Sequence, residues 1–245
     1  MTTALHDQAQ SNPLLRKLSG VAELTDKERQ AVLALPLSIK VFDADVDVVR
    51  EGERPSDCSL VVSGFVCRYK ILSDGKRQIL GFYVPGDIPD LQSLRLHVMD
   101  HSVGALVKST VALIPHQSLQ DVLQRQPRLS DILWRVSLID AAIFREWMIG
   151  LGRRSGYQRM AHLLCELQVR LKAIGLAEEN GCELPITQNE FADALGLSTV
   201  HVNRIIQDLR RDSLIVLRGS VLEIPDWGAL CAAAEFDPAY LHLGR

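Results

Sequence analysis

The sequence predicts an α+β chain in three parts: an N-terminal antiparallel β-roll of the jelly-roll kind, a long helix, and a C-terminal winged helix-turn-helix. Three observations carry this. Turn signals recur about every 11 residues between short β-rich runs in the first half. From Pro127, apolar residues repeat at heptad spacing. Near the C-terminus, two capped helices flank a glycine and a hairpin follows them.

Taken in order, the first residues read as poorly ordered until Pro13-Leu-Leu15 opens a short helix. Thr25-Asp-Lys-Glu28 is a capping box, in which a hydroxyl and a carboxylate satisfy the orphan amides of a helix start. That helix runs to about Leu35 and Pro36 stops it. From Leu37 the pattern changes, and Val41, Val46, Val48 and Val49 are interleaved with acids. Turns follow at Glu51-Gly-Glu53, Ser63-Gly64, Ser73-Asp-Gly75 and Pro85-Gly-Asp87. Between them lie strand-like runs at Cys58–Val62, Phe65–Leu72, Gln78–Val84 and Val103–Ile114. Residues 1–126 are therefore assigned to the β-roll.

Leu119 to Gln124 continues as a short helix, and Pro127 starts a longer one. Within it Leu129, Ile132, Val136, Ile139 and Ile143 are spaced 3, 4, 3, 4, the a/d seam of a paired helix. Leu133, Phe144, Trp147 and Leu151 form a second stripe able to pack on the roll. One buried helix in a monomer is the plain alternative, but two apolar faces suit a helix with two partners. The seam fades at Gly150, Gly152 and Gly156, which predicts a hinge over Leu151–Gly156. Residues 127–154 are the pairing helix and hinge, and 155–245 the last domain.

Tyr157–Leu171 reads as an amphipathic helix with Met160, Leu163, Leu164, Leu167 and Leu171 inward, and Ala177–Cys182 as a polar loop. Then comes ITQNEFADALGLSTVHVNRIIQDL, residues 186–209. Thr187 and Glu190 form a second capping box, and Phe191, Ala194 and Leu195 give the helix an apolar face. Gly196 stops it by entering the left-handed conformation without steric cost. Ser198 caps the next helix, Ser198–Asp212, in which Val202, Ile205, Ile206 and Leu209 recur at helical spacing. Its other face carries Thr199, Val200, Asn203, Arg204 and Gln207. Such a helix can enter the major groove, where Arg reads guanine and Asn reads adenine. Leu214–Leu217, Arg218-Gly-Ser220 and Val221–Ile224 read as a hairpin, the wing. A short helix at about Asp226–Ala234 opens the final segment. An ordinary helical hairpin is the competing reading, and the wing counts against it.

Composition sets bounds. The length suits two domains, each with its own core. No apolar run approaches the roughly 20 residues that span a bilayer, and no signal peptide is visible, so no membrane partner and a cytoplasmic location are expected. Cys58, Cys67, Cys165, Cys182 and Cys231 are scattered without C-x-x-C, which speaks against a zinc or disulfide framework. Net charge is −3, and residues 126–245 hold 13 Lys+Arg against 15 Asp+Glu, so weak sequence-independent affinity for double-stranded DNA is expected. A β-roll can also host metal-dependent oxygenase chemistry. That needs clustered ligands, and His97, His101 and His116 make no such cluster. No enzyme, no metal and no catalytic residue are expected.

The stretch from Thr187 to the wing, with Ser198-x-x-x-Val202-x-Arg204, resembles the C-terminal domain of the Crp/Fnr family of bacterial transcription regulators. The resemblance extends over nearly the whole chain, the N-terminal part being similar to the family's cyclic-nucleotide-binding β-roll. It implies a homodimeric DNA-binding regulator, with RNA polymerase as a further partner. It implies base reading by Thr199, Val200, Asn203 and Arg204, and phosphate contacts from Thr187, Gln188, Asn189, Ser198, His201, Arg218 and Ser220. One departure is Val200, where many members carry Glu: a carboxylate accepts from a cytosine amine, and Val offers only apolar contact.

The roll departs further. Nucleotide-binding members follow P-G-D with F-G-E and, ten residues later, R-S, the Glu taking the ribose and the Arg the cyclic phosphate. This chain has Pro85-Gly86-Asp87, then Leu91 in place of the Glu, and His101-Ser102 with His101 in place of the Arg. The effector pocket of Asp87, Leu91, His101 and Ser102 therefore reads as degenerate, with no cyclic-nucleotide response. Iron–sulfur members need cysteines near the N-terminus, and none precedes Cys58. No cofactor is expected and the effector is unassigned. The alternative function is a cyclic-nucleotide or other small-ligand sensor whose output is not DNA binding.

Overall fold

A computed structural model of the chain describes residues 12–243. The expectation for the first eleven residues lies outside them. Contacts divide the chain into two compact units. One contains the described part of Met1–Lys70 with Gly81–Leu138, and the other contains Ile71–Leu80 with Ile139–Leu243.

The first unit opens with helices α1 (Pro13–Val21) and α2 (Asp26–Leu33). Asn12 caps α1 and Pro13 stands at its first position, where a missing N–H costs nothing. The capping box at Thr25 forms as read, with Thr25 N to Glu28 Oε2 at 2.7 Å. Arg128 also reaches Glu28 Oε2, at 3.0 Å. The roll comprises β1 (Ser38–Phe42), β2 (Asp47–Val49), β3 (Asp57–Ser63), β4 (Val66–Ile71), β5 (Arg77–Tyr83), helix α3 (Ser93–Leu96), β6 (Ser102–Ala105) and β7 (Ser109–Pro115). Two sheets result, ordered β1-β7-β3 and β2-β6-β4-β5. The run Val103–Ile114, read as one strand, is two, because residues 106–108 carry the chain from one sheet to the other. Val49, Val61, Val66, Tyr83, Met99 and Val103 form a core cluster of the roll. Helix α3 was not anticipated; four residues are too few for a periodic signal.

Helices α4 (His116–Arg125) and α5 (Pro127–Arg153) follow. Helix α5 continues through Gly150 and Gly152, so the expected hinge at Leu151–Gly156 shrinks to the break at Arg154–Ser155. The division between units falls inside α5, after Leu138. The expected seam needs correction at its start. Leu129 and Ile132 are buried in the first unit, at 2% and 4% exposure, and are not free for a second chain. Val136, Ile139 and Ile143 are half-buried. The large apolar side chains left exposed on α5 are Trp134, Leu138, Phe144, Met148, Ile149 and Leu151. Heptad spacing marks an apolar stripe but does not say whether the stripe meets another helix or its own domain.

The second unit holds α6 (Gly156–Ala173), β8 (Ala177–Glu178), β9 (Gly181–Glu183), α7 (Gln188–Leu195), α8 (Thr199–Arg211), β10 (Val216–Arg218), β11 (Val221–Glu223), α9 (Trp227–Ala234) and a 3-10 turn at Pro238–Leu241. The stretch read as a polar loop, Ala177–Cys182, is instead a hairpin that joins the wing in a sheet ordered β10-β11-β9-β8. Pairing aligns Leu222 with Cys182 and Glu223 with Gly181. A Cβ on Gly181 would lie 2.3 Å from the Leu222 carbonyl oxygen, so the strand approach itself demands glycine.

Candidate nucleic-acid interface

Helix α7 begins with the expected box: Thr187 N donates to Glu190 Oε2 at 2.6 Å, and Glu190 N to Thr187 Oγ1 at 3.3 Å. It ends at Gly196, whose φ of 62° is left-handed. Ser198 then caps α8, its Oγ accepting from His201 N at 3.2 Å. Val202, Ile205, Ile206 and Leu209 are buried, as the spacing required. The start of α6 packs tightly beneath α8, since a Cβ on Gly156 would meet Ile205 Cδ1 at 2.9 Å and Leu197 Cδ1 at 3.3 Å.

The opposite face of α8 is open to solvent. Thr199, Val200, Asn203, Arg204 and Gln207 are exposed, Val200 by 81%. Two of them are tied to the first helix. Asn203 Nδ2 donates to Gln188 Oε1 at 3.2 Å, and Thr199 Oγ1 to Asn189 Oδ1 at 2.9 Å. The residues assigned to bases and those assigned to phosphates at the start of α7 are thus linked through side-chain amides. His201 is half-buried, with its Nε2 placed 3.6 Å from where a Cβ on Gly156 would stand. Ser198, Thr187, Gln188 and Asn189 are exposed.

The four arginines of this segment are not equivalent. Arg210 donates to the Leu217 carbonyl and braces the wing. Arg211 pairs with Asp208 at 2.7 Å and reaches Asp212 at 3.5 Å. Arg204 and Arg218 are exposed and make no hydrogen bond or ion pair among the described residues. Composition alone could not separate these roles, because the separation depends on which carbonyl or carboxylate each guanidinium meets. The wing is shorter than read: Leu214 and Ile215 enter the core, and the hairpin turns at Gly219, φ 58°. Ser220 is half-buried, and its carbonyl accepts from Leu184 N at 2.6 Å.

A further contact escaped the sequence reading. In the β4–β5 hairpin tip, Arg77 Nε pairs with Asp193 Oδ2 of α7 at 2.7 Å, and Gln78 Nε2 donates to the Ala194 carbonyl at 3.3 Å. The tip read as a plain turn, and no local signal marks a partner 116 residues away.

The four residues of the degenerate pocket lie in the roll. Asp87 is a brace: its Oδ2 accepts from Val84 N at 3.0 Å and its Oδ1 pairs with Lys17 Nζ at 2.6 Å. Ser102 Oγ accepts from Glu51 N at 3.0 Å. Leu91 is half-buried and His101 is buried. His101 meets Asp100 Oδ1 at 2.7 Å and Gln92 Nε2 at 3.2 Å. Burial, and then the nearby Arg68, hold its imidazole below the usual range. A neutral imidazole lacks the bidentate charged fork of an arginine. Arg68, which the sequence did not single out, lies over the Tyr83 ring at 4.6 Å and donates to the Pro89 carbonyl.

Cys58, Cys67, Cys165 and Cys182 are buried thiols, and Cys231 is half-buried. Among the described residues no group of three or more His, Cys, Asp or Glu is arranged to hold a metal ion. No helix there is long and apolar enough to cross a membrane.

Comparison with known proteins places this geometry. Residues 158–233 match the Crp-like helix-turn-helix domain, and residues 39–126 match the cyclic nucleotide-binding domain. The nitrogen fixation regulation protein FixK of Bradyrhizobium diazoefficiens is 30% identical over 176 residues, covering 72% of this chain and 73% of that protein. The transcriptional activator protein FnrL of Cereibacter sphaeroides is 29% identical over 200 residues, covering 79% of each. The solved structure of FixK2 from Bradyrhizobium japonicum superposes with a TM-score of 0.74 at 26% identity, covering 81% of this chain and 98% of that one. With an open recognition face on α8, a wing beside it and a cyclic-nucleotide-binding-like roll before it, the chain belongs to the Crp/Fnr family of DNA-binding transcription regulators.

Proposed function

We propose that the protein acts as a homodimer that reads an inverted-repeat operator through α8, independently of cyclic nucleotides, and regulates transcription together with RNA polymerase. The observation that carries the reading is the recognition face. Arg204 stands there exposed and uncommitted, with Asn203 and Thr199 held beside it by Gln188 and Asn189. Arg204 is long enough to reach guanine O6 and N7 with two hydrogen bonds, and Val200 is suited to a thymine methyl. Ser198, His201, Arg218, Ser220 and the start of α7 are assigned to phosphates, where helix-start amides favour anions.

A second copy is the natural occupant of the exposed stripe on α5. Trp134, Leu138 and Met148 lie on one face of that helix, at 67%, 53% and 60% exposure. Large apolar side chains in such a row mark an interaction surface. Two recognition helices related by a two-fold axis would meet half-sites about one turn of DNA, roughly 34 Å, apart. Leu91 and the neutral, buried His101 argue against a cyclic nucleotide in the roll, and no other effector is assigned. Genome-wide crosslinking of the protein to DNA tests the reading, with an inverted repeat expected beneath the peaks. Recovery of direct repeats or single sites would overturn the two-fold arrangement. Calorimetry with cyclic AMP and cyclic GMP should give no heat, and micromolar binding of either would overturn the assignment of the roll.

A further inference from the structure

The matched helix-turn-helix domain ends at residue 233, yet the chain beyond it returns to the centre of the second unit. Glu166 of α6 is fully buried, at 0% exposure. Its Oε2 accepts from Trp147 Nε1 of α5 at 3.0 Å and from the Tyr240 hydroxyl at 3.0 Å, and its Oε1 from Arg170 at 3.1 Å. One carboxylate oxygen therefore joins the long helix, α6 and the last turn of the chain.

The tail is built to hold that hydroxyl in place. Asp237 caps the 3-10 turn, accepting from Ala239 N at 2.9 Å, and Pro238 sets its first position. Leu241 is buried at its end. The Tyr240 ring stacks on His162 with centroids 5.8 Å apart and an interplanar angle of 17°. Phe236 meets the edge of the same imidazole at 5.1 Å. The Tyr240 hydroxyl also lies 3.1 Å from His162 Nε2, and His162 Nδ1 lies 3.4 Å from the Ala234 carbonyl oxygen, so the imidazole bridges the tail to the end of α9.

We infer that Tyr240 is a positioning residue for operator reading: through Glu166 it fixes Trp147, and so fixes the angle between the long helix and the helices that carry α8. Helix α6 transmits this directly, because Gly156 lets it seat against Ile205 and Leu197 without an intervening side chain. In a dimer paired through α5, the same angle determines the separation of the two recognition helices. The inference rests on the dimeric reading given above.

Tyr240→Phe keeps the ring packing and removes the hydroxyl, so the variant is expected to fold. The full-length protein is titrated with inverted repeats whose central spacer is lengthened or shortened by one or two base pairs, and with a single half-site. Wild type should prefer one spacer by about tenfold or more, and Tyr240→Phe should flatten that preference to about threefold while changing half-site affinity less than about twofold. A second readout needs no DNA. In a Trp134→Phe, Trp227→Phe background, Trp147 emission should shift in Tyr240→Phe, because Glu166, the acceptor of its N–H, is no longer held by the Tyr240 hydroxyl. An unchanged spacer preference with unchanged emission overturns the inference. Equal weakening on every duplex with an earlier melting transition also overturns it, since that is only lost stability. If wild type binds no inverted repeat, the dimeric reading fails, and the emission of Trp147 decides whether Tyr240 holds Trp147 at all.

Discussion

Gly181→Ala tests whether the wing is held by the hairpin that the sequence reading took for a loop. The new Cβ would stand 2.3 Å from the Leu222 carbonyl oxygen, 3.2 Å from Glu223 Cα and 3.3 Å from the Leu222 carbonyl carbon. All three obstacles are backbone, so no side chain can swing aside. Ordinary contact requires the strands to part by about 1 Å, which stretches ladder hydrogen bonds past their useful length. The β9–β11 pairing involves only three residues on each side, so it has little to absorb the shift. Overpacking of this kind costs about 1–3 kcal/mol, and lost ladder bonds add about 1 kcal/mol each. A net loss of about 2–4 kcal/mol should lower the melting transition of the second unit by roughly 5–15 °C. Arg218 sits on β10, two strands away, so binding to random duplex should weaken along with binding to operator. Differential scanning calorimetry and salt-dependent titrations on both duplexes measure the two effects. A variant that melts within a degree of wild type and binds both duplexes unchanged would refute the close approach of β9 and β11.

Arg204→Ala should cost about 1–3 kcal/mol on the true operator and much less on scrambled DNA, whereas Arg218→Ala should weaken both alike and lower the salt slope by about one. Equal losses for Arg204→Ala on the two duplexes would demote it to a phosphate anchor. Leu138→Asp places a charge on the exposed stripe of α5 and should give a monomer in sedimentation, because an unpaired charge buried in an interface is strongly unfavourable. A variant that remains dimeric would move the interface elsewhere. Stability should fall as pH drops below the ordinary histidine value of 6.5, because burial holds both His101 and His162 below it. The unfolded chain then binds protons that the folded one refuses, at a limiting slope of about 1.4 kcal/mol per pH unit for each. His162 faces Arg154, Glu146 and Tyr240, and His101 faces Arg68 and Asp100. The double variant His101→Gln, His162→Gln should flatten the slope between pH 5 and pH 7 in urea titrations, and an unchanged slope would assign it to other groups.

The helix-turn-helix was legible because each of its features is local. Thr187 and Glu190, Gly196, and Ser198 act within a turn of their own backbone, and the buried stripe of α8 follows from spacing alone. The strands of the roll from Cys58 onward were legible for the same reason, apart from the place where one run divides between two sheets, whereas Ser38–Phe42 and Asp47–Val49 showed only a change of pattern. What could not be read depends on distant partners. Ala177–Glu178 and Gly181–Glu183 are too short and polar to announce strands, and they become strands because β11 presents an edge. The stripe Leu129–Ile132 satisfied a heptad and is buried within the first unit instead. Arg210 and Arg211 look like Arg204 in sequence, and only the Leu217 carbonyl and Asp208 set them apart.

Asn203 and Thr199 on the open face of α8 are already hydrogen-bonded to Gln188 and Asn189 of α7 before any DNA arrives. If they read bases as proposed, Asn203 and Thr199 therefore have somewhere to return when a base edge offers them nothing. A wrong base at their positions costs an exchange between partners, and not a polar group stranded without one. Arg204 has no such refuge, so its base pair should be nearly invariant among natural operators while the neighbouring positions drift. The expected consequence is a regulator with a broad, graded set of sites across a genome, ranked mainly by the one position where it cannot compromise.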